Sequence, residues 1–226
     1  TVYYVPETRS ESQLTLGGSG AAIIDHKLSS AKITLTAQKL ALRVGFSAEL
    51  VEDAVLPVLN IYRQQAVRAI ADAIDSVLLN GDTTTGGGNI NDDDASLSDS
   101  EAFLAFNGLR HLPLVANTAN RLDFASAPTL EKMRTTRFKM QARYAAKPTD
   151  LAWIVDANTY AKLLSLSEFL TMDKAGAHAT ALTGQLGFID GIPLLVSAHM
   201  PLTMADGKVE VGGANDKGTA VIVYRP

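Results

Sequence analysis

The chain has 226 residues, 46% of them apolar and 19% charged, with a net charge of −4 at neutral pH; this describes an ordinary globular protein long enough to bury a core and excludes global disorder. The small negative balance argues against a nucleic-acid reader, whose footprint is a basic surface that displaces counterions from phosphate. Cysteine is absent, which excludes disulfides, thiolate nucleophiles and Cys-ligated metal clusters, and no apolar run approaches the roughly 18 residues of a membrane span.

The start, TVYYVPETR, has no initiator Met and none of the basic and apolar regions of a signal peptide, so the chain is expected to begin within a longer protein. Residues 1–56 then alternate between TVYYV, the loose run ETRSESQLTLGGSG, AAIID and KITLTAQKLALRVGF. Ile33, Leu35, Ala37 and Leu42 fall mostly at period two among Thr, Gln, Lys and Arg, which predicts a strand-rich extended hairpin. Such an arm carries too little apolar surface to be stable alone and needs a surface to lie on. In SAELVEDA, Ser47 is placed to cap a short helix, with Glu49, Glu52 and Asp53 near its positive end.

A long helix is predicted next, entered through Pro57 and stopped at Asn80-Gly81 by a left-handed terminator. Leu59, Tyr62, Ala66, Ile70, Ala73 and Val77 recur every three or four residues, and Val67, Ile74 and Leu78 widen the stripe. The rod should be about 36 Å long, with Arg63, Arg68, Asp72 and Asp75 on its other faces. A charge at Ile70 is expected to unfold the chain, because it would enter that stripe.

After Asp82, TTTGGGNINDDDASLSDS reads as a flexible acidic loop and a boundary. SEAFLAFNGLRHL reads as a helix, and APTLEKMRTTRFKMQARYAAK as one helix entered through Pro128. LAWIV is a buried strand, DANTYAKLLSL a helix capped by Asp156 or Asn158, and FLTMDKAGAHATALTGQ irregular. FIDGIPLLVSAHMP gives two strands around a Gly-Ile-Pro step, and KVEVGG and TAVIVYR close the chain as β segments. No solenoid repeat is present. Charge is segmented: residues 57–112 hold three basic and eight acidic side chains, residues 113–150 seven and three.

No catalytic constellation emerges. In GGANDKGT the order of Lys217, Gly218 and Thr219 is wrong for a phosphate loop, and GGSGA around Ser19 has Ala21 where a nucleophile elbow needs its second Gly. His26, His111, His178 and His199 show no metal or triad spacing and read as surface or capping residues. Asn89, Asn91 and Asp93 sit at alternate positions like calcium ligands, but Asp94 replaces the turn glycine and Ser100 the bidentate Glu. Lys132, Arg134, Arg137, Lys139, Arg143 and Lys147 lie on or just after one predicted helix, opposed by Glu131. A solvated face and a contact with an acidic neighbouring subunit suit them equally, with nucleic acid behind both.

TVYYVPET, KITLTAQKLALRVGFSAELVEDA, the long helix closing in VLLNGDTTTGGG, LAWIVDANTYAKLLSL and GFIDGIPLLVSAHMP follow one another in an order that resembles the major capsid proteins of tailed phages. The resemblance spans nearly the whole chain. It implies an α+β Hong Kong 97-type capsid fold: residues 1–36 as the extended E-loop hairpin, 37–82 as the peripheral domain with its spine helix, and 83–226 as the axial domain. It also implies that the N-terminal arm and the C-terminal part of the peripheral domain are absent from this chain.

The function implied is a non-enzymatic structural subunit. It would self-assemble through pentamers and hexamers into the icosahedral shell of a phage or prophage virion, built in the bacterial cytoplasm. Scaffold, protease and portal proteins would be partners, packaged DNA would be touched non-specifically, and no cofactor, metal or membrane is implied. Arg9, Lys27, Lys32, Glu49, Glu52, Asp53, Arg63, Arg68, Lys132 and Arg137 are the candidate inter-subunit contacts. Lys27 falls where some relatives cross-link, but no partner asparagine or acidic catalyst matches, so it is taken as an ordinary exposed lysine. The alternatives are an encapsulin-like compartment shell of the same architecture and, from another class, a hydrolase with a dispersed site.

Overall fold

The computed structural model describes residues 2–4, 33–35, 37–45, 47, 58–92, 97–98, 100–170, 176–178 and 186–225. The chain divides into two compact units, Thr1–Lys39 and Leu40–Pro226. In the first, β1 (Val2–Tyr4) pairs antiparallel with β2 (Ile33–Leu35), with Val2 opposite Leu35 and Tyr4 opposite Ile33. The two short strands at the base of the expected hairpin are thus paired; the rest of the expected arm, residues 5–32, lies outside the described residues. The expected continuation of the strand over 37–45 has no regular structure, and Leu40, Leu42 and Val44 are exposed. With no strand paired to it among the described residues, that segment cannot form a ladder. Pro57 and the expected helix in SAELVEDA lie outside the described residues, apart from Ser47.

The second unit starts with α1 (Val58–Asn80), 23 residues and about 35 Å long. Its end differs from the expected left-handed stop. Gly81 is not in a positive-φ conformation, and its amide still bonds back to Val77 O at 2.8 Å. Gly is needed here for close approach instead, since a Cβ would strike Phe106 O and lie 2.7 Å from Val77 O.

The neighbour is the segment 100–112, predicted as a helix. It forms a single 3₁₀ turn at Ala102–Leu104, followed by a π turn at Leu112–Ala116. The amides of Gly108, Leu109 and Arg110 bond to Gly81 O, Leu78 O and Leu79 O at 2.7, 2.9 and 2.9 Å. Donors engaged with α1 cannot also serve a local helix.

The long helix expected over 127–147 is two, α2 (Leu130–Lys139) and α3 (Ala142–Ala145), because Met140 and Gln141 are extended. The break turns Met140 onto the core. Then come β3 (Leu151–Val155), α4 (Ala157–Leu164), α5 (Ser167–Leu170), β4 (Phe188–Ile189), β5 (Ile192–Val196) and β6 (Ala220–Tyr224). The sheet order is β4-β5-β3-β6. β3 runs parallel to β5, Trp153 opposite Leu194, and antiparallel to β6, Trp153 opposite Ile222. β4 and β5 form a hairpin whose turn residues Asp190 and Gly191 both have positive φ, the requirement of a type I′ turn.

Of the two predicted closing β segments, TAVIVYR forms β6, while KVEVGG is a loop closed by Asn215, which bonds both the amide and the carbonyl of Glu210. β3 is buried on both faces, as a central strand should be. Leu151, Trp153 and Val155 meet Ile192, Leu194 and Ile189, with Met133 of α2 and Leu163 of α4 covering the sheet.

Candidate assembly surfaces

The end of α1 is tied into the second unit by a buried polar node. Asn91 Nδ2 donates to Asn80 O at 2.5 Å, so the carbonyls of Leu78, Leu79 and Asn80 all find tertiary partners. Asn80 Nδ2 donates to His199 O at 2.6 Å, and its Oδ1 accepts from Arg110 Nη1 at 2.8 Å. Arg110, 2% exposed, reaches Gly207 O with Nη2 at 2.8 Å. Burial pushes its guanidinium down to about 10, which still leaves a full positive charge near neutrality.

Asp82 is fully buried. Its Oδ1 accepts from the Thr84 amide and hydroxyl at 3.0 and 2.7 Å, and its Oδ2 from the Ile90 amide at 2.9 Å. Burial alone would raise the carboxyl, but these hydrogen bonds and the nearby His111 outweigh it and hold the group below the ordinary aspartate value. His111 Nδ1 stands 3.2 Å from Asp82 Oδ1 without the alignment of a hydrogen bond.

Two expectations are corrected here. His111 is buried rather than superficial, and the first part of the supposed flexible loop is fixed, with Asn89 and Ile90 fully buried. The amide groups of Asn89 and Asn91 serve backbone carbonyls at Asp82, Thr84 and Asn80, a structural use of the calcium-like spacing; Asp93 lies outside the described residues. Sequence periodicity carries no sign of this node, although the run L-N-G-D-T marks where it forms.

The rest of α1 is open. The wide apolar stripe divides in two: Tyr62, Ala66, Ala73 and Val77 are half-buried or buried, whereas Val67, Ile70, Ile74 and Leu78 are 69%, 43%, 42% and 49% exposed. Their spacing of three, four and four residues makes one continuous band. Among the described residues Ile70 is therefore not enclosed, and a charge there enters an open surface. Arg63 and Arg68 are exposed on the same helix.

The basic cluster is partly internal. Lys132 Nζ donates to Phe124 O at 2.7 Å and to Ser126 Oγ. Arg134 grips Asp190 with two bonds of 2.6 and 2.8 Å, which hold that carboxyl below its usual value and raise the Arg134 guanidinium. Arg137 binds Ala145 O at 2.9 and 2.6 Å. Arg9, Lys27, Lys32, Glu49, Glu52 and Asp53 lie outside the described residues. Among the described residues no group of three or more acidic or histidine side chains is placed to hold a metal, and no helix is long and apolar enough to cross a membrane.

Residues 1–216 match the Phage capsid family. The chain is 26% identical over 195 residues to a protein of Escherichia phage T5 described as "Major capsid protein", covering 86% of this chain and 37% of that protein. The chain thus spans little more than a third of that relative's length. Its fold is similar to a chain from the asymmetric unit of the bacteriophage PhiM1 mature capsid, with a TM-score of 0.53 and 14% identity over 99% of this chain and 66% of that one.

Proposed function

As this chain belongs to the phage capsid family, we propose that it acts as a major capsid protein, a non-enzymatic subunit that self-assembles into the icosahedral shell around phage or prophage DNA. The observation that carries this reading, beyond the family match, is the band of Val67, Ile70, Ile74 and Leu78 left open along α1. Contiguous exposed apolar area of this kind marks a surface that another chain covers. In a closed shell every subunit has neighbours to cover it.

On this reading the hairpin based on β1 and β2 is the E-loop, α1 is the spine helix of the peripheral domain, and the β4-β5-β3-β6 sheet belongs to the axial domain. The buried node around Asp82 and Arg110 fastens spine to axial domain. Arg9, Lys27, Lys32, Glu49, Glu52, Asp53, Arg63 and Arg68 are the proposed contacts between subunits. Lys132 and Arg137, engaged with their own backbone, contribute there through the positive field they set. Pentamers and hexamers, a scaffold, a protease and a portal are the proposed partners, the virion is the destination, and assembly takes place in the host cytoplasm.

Light scattering against protein concentration tests the reading. A shell subunit gives a sharp onset at a critical concentration that moves with salt, because the contacts are partly ionic. A linear rise from a particle of constant mass would contradict it.

A further inference from the structure

His111 Nδ1, 3.2 Å from Asp82 Oδ1 yet not aligned with it, is the buried side-chain nitrogen or oxygen that lacks a hydrogen bond among the described residues, and such an atom calls for a reason. A second histidine meets α1 nearby. His199 Nε2 stands 4.0 Å from Asp72 Oδ1, while His199 O accepts from Asn80 Nδ2 at 2.6 Å, about two helical turns further along. Two of the chain's four histidines therefore face aspartates at one joint, where the end of α1 is held against segments 108–111 and 197–200.

Each contact changes character with one proton. A neutral imidazole with its hydrogen on the far nitrogen turns a lone pair toward the carboxylate, which repels it; the protonated ring turns an N–H and a positive charge toward it, which attract. For His111 the change is large, because both it and Asp82 are buried and a buried pair is poorly screened. Among the other charges at the joint, Arg110 opposes protonation, but its guanidinium is turned to Asn80 Oδ1 and Gly207 O. Lys208 Nζ is on Gly88 O, and Asp206 Oδ1 accepts from the Lys208 amide. Asp92 follows Asn91, which bonds Asn80 O, and is an acid that favours the protonated ring. Around Asp72, Arg68 and Asp75 lie a turn to either side on α1, opposite in sign and both exposed.

We propose that the His111–Asp82 and His199–Asp72 pairs form a proton-operated clasp, which tightens the end of α1 against the rest of the second unit when the histidines are protonated and loosens it when they are not. Histidine is the side chain that gains its charge between about pH 8 and about pH 5. A histidine that gains an acidic partner on folding stabilises in full at the low end of that range and loses the contribution as pH rises. Asp82, held below its ordinary value, stays ionised throughout it. The clasp is thus closed in weakly acidic solution and open above neutrality. It lies within one subunit and stands or falls apart from the shell reading.

The test is amide hydrogen exchange of the whole chain, held below its assembly threshold, at about pH 5.5 and about pH 8, with each rate corrected for the intrinsic pH dependence of exchange. The amides of Gly108, Leu109 and Arg110, bonded to Gly81 O, Leu78 O and Leu79 O, report the joint; Leu194, bonded to Gly187 O, reports the sheet. Protection of the first three should be about tenfold higher at the lower pH and that of Leu194 unchanged. His111→Gln should remove most of the difference, His199→Gln and Asp72→Asn each a smaller part, and the His26→Gln, His178→Gln double variant none. Equal protection at the two pH values overturns the inference. So does a difference that survives in the His111→Gln, His199→Gln double variant, or one that Leu194 shares in equal measure, which is a change in global stability. If His111→Gln does not fold, Asp72→Asn, at an exposed site, keeps the test decisive: the full difference in that variant overturns the clasp.

Discussion

Asp156 and Thr219, 63 residues apart, are joined by a 2.7 Å bond from the Thr219 amide to Asp156 Oδ1. The other carboxylate oxygen caps α4, accepting from Asn158 N and Thr159 N at 2.9 and 3.0 Å. One side chain therefore starts a helix and fixes the approach to β6. Gly218 must lie against it, because a Cβ there would strike the Thr159 hydroxyl and come within 3.0 Å of Asp156 Oδ1. Asp156→Ala loses the cap and leaves the half-buried Thr219 amide unpaired, a cost of about 2 to 3 kcal/mol. Asp156→Asn keeps one acceptor oxygen and should lose roughly half as much. Urea denaturation midpoints at constant slope measure both.

Gly81 and Gly108 face each other across the end of α1. A Cβ on Gly108 would lie 2.7 Å from Gly81 N and 2.8 Å from Val77 O. Gly108→Ala must separate two backbones joined by three hydrogen bonds, and should cost more than about 2 kcal/mol. Gly45→Ala, with open space around its Cβ, is the control and should shift stability by less than about 0.5 kcal/mol.

The Asp82 carboxyl sits below its ordinary value of 3.8 in the folded state. A depressed acid stabilises the fold above its unfolded value and loses that contribution as pH falls through the folded one. Asp82→Asn should therefore be less stable than the parent at pH 7, and the gap should narrow below about pH 3.8. Thermal melts from pH 7 to pH 3 measure it; a gap independent of pH would show that the carboxylate charge contributes nothing.

Val67→Asp and Ile70→Asp probe the open band. Both sites are substantially exposed in the subunit, so helicity should persist and stability fall by no more than about 1 kcal/mol. Assembly should be abolished, because the charge would be buried without a partner against the neighbour. Loss of helicity in both variants would show that the band is covered within the subunit.

What the sequence disclosed depends on how local the determining physics is. β3, the Asp156 cap, the β4-β5 hairpin and the length of α1 follow from nearest-neighbour patterns, and the structure has them. The 100–112 segment carries a helix-like pattern, but Leu109 and Arg110 give their amides to α1 and Gly108 gives its amide to Gly81 just after it, a long-range choice invisible to periodicity. Gly81 looks like a left-handed cap, yet it is glycine because Phe106 O comes close. Of the functional surface, charge segmentation and the apolar stripe were legible. Which half of the stripe the subunit leaves open, and which cations it engages, required side-chain packing.

Deleting residues 10–30 keeps both strands of the hairpin base, Val2–Tyr4 and Ile33–Leu35. The shorter connection closes at slightly lower entropic cost, so the variant should stay folded by circular dichroism while failing to assemble. Shells of normal size from this variant would contradict the assignment of the arm.

Negative-stain electron microscopy, with sedimentation, of the gene product that carries this chain tests the central claim most directly. The account predicts closed icosahedral particles or isolated pentamers and hexamers, with DNA rather than cargo protein inside particles from infected or induced cells. A species that sediments as a monomer at every concentration and salt, with its co-expressed scaffold present, would contradict it.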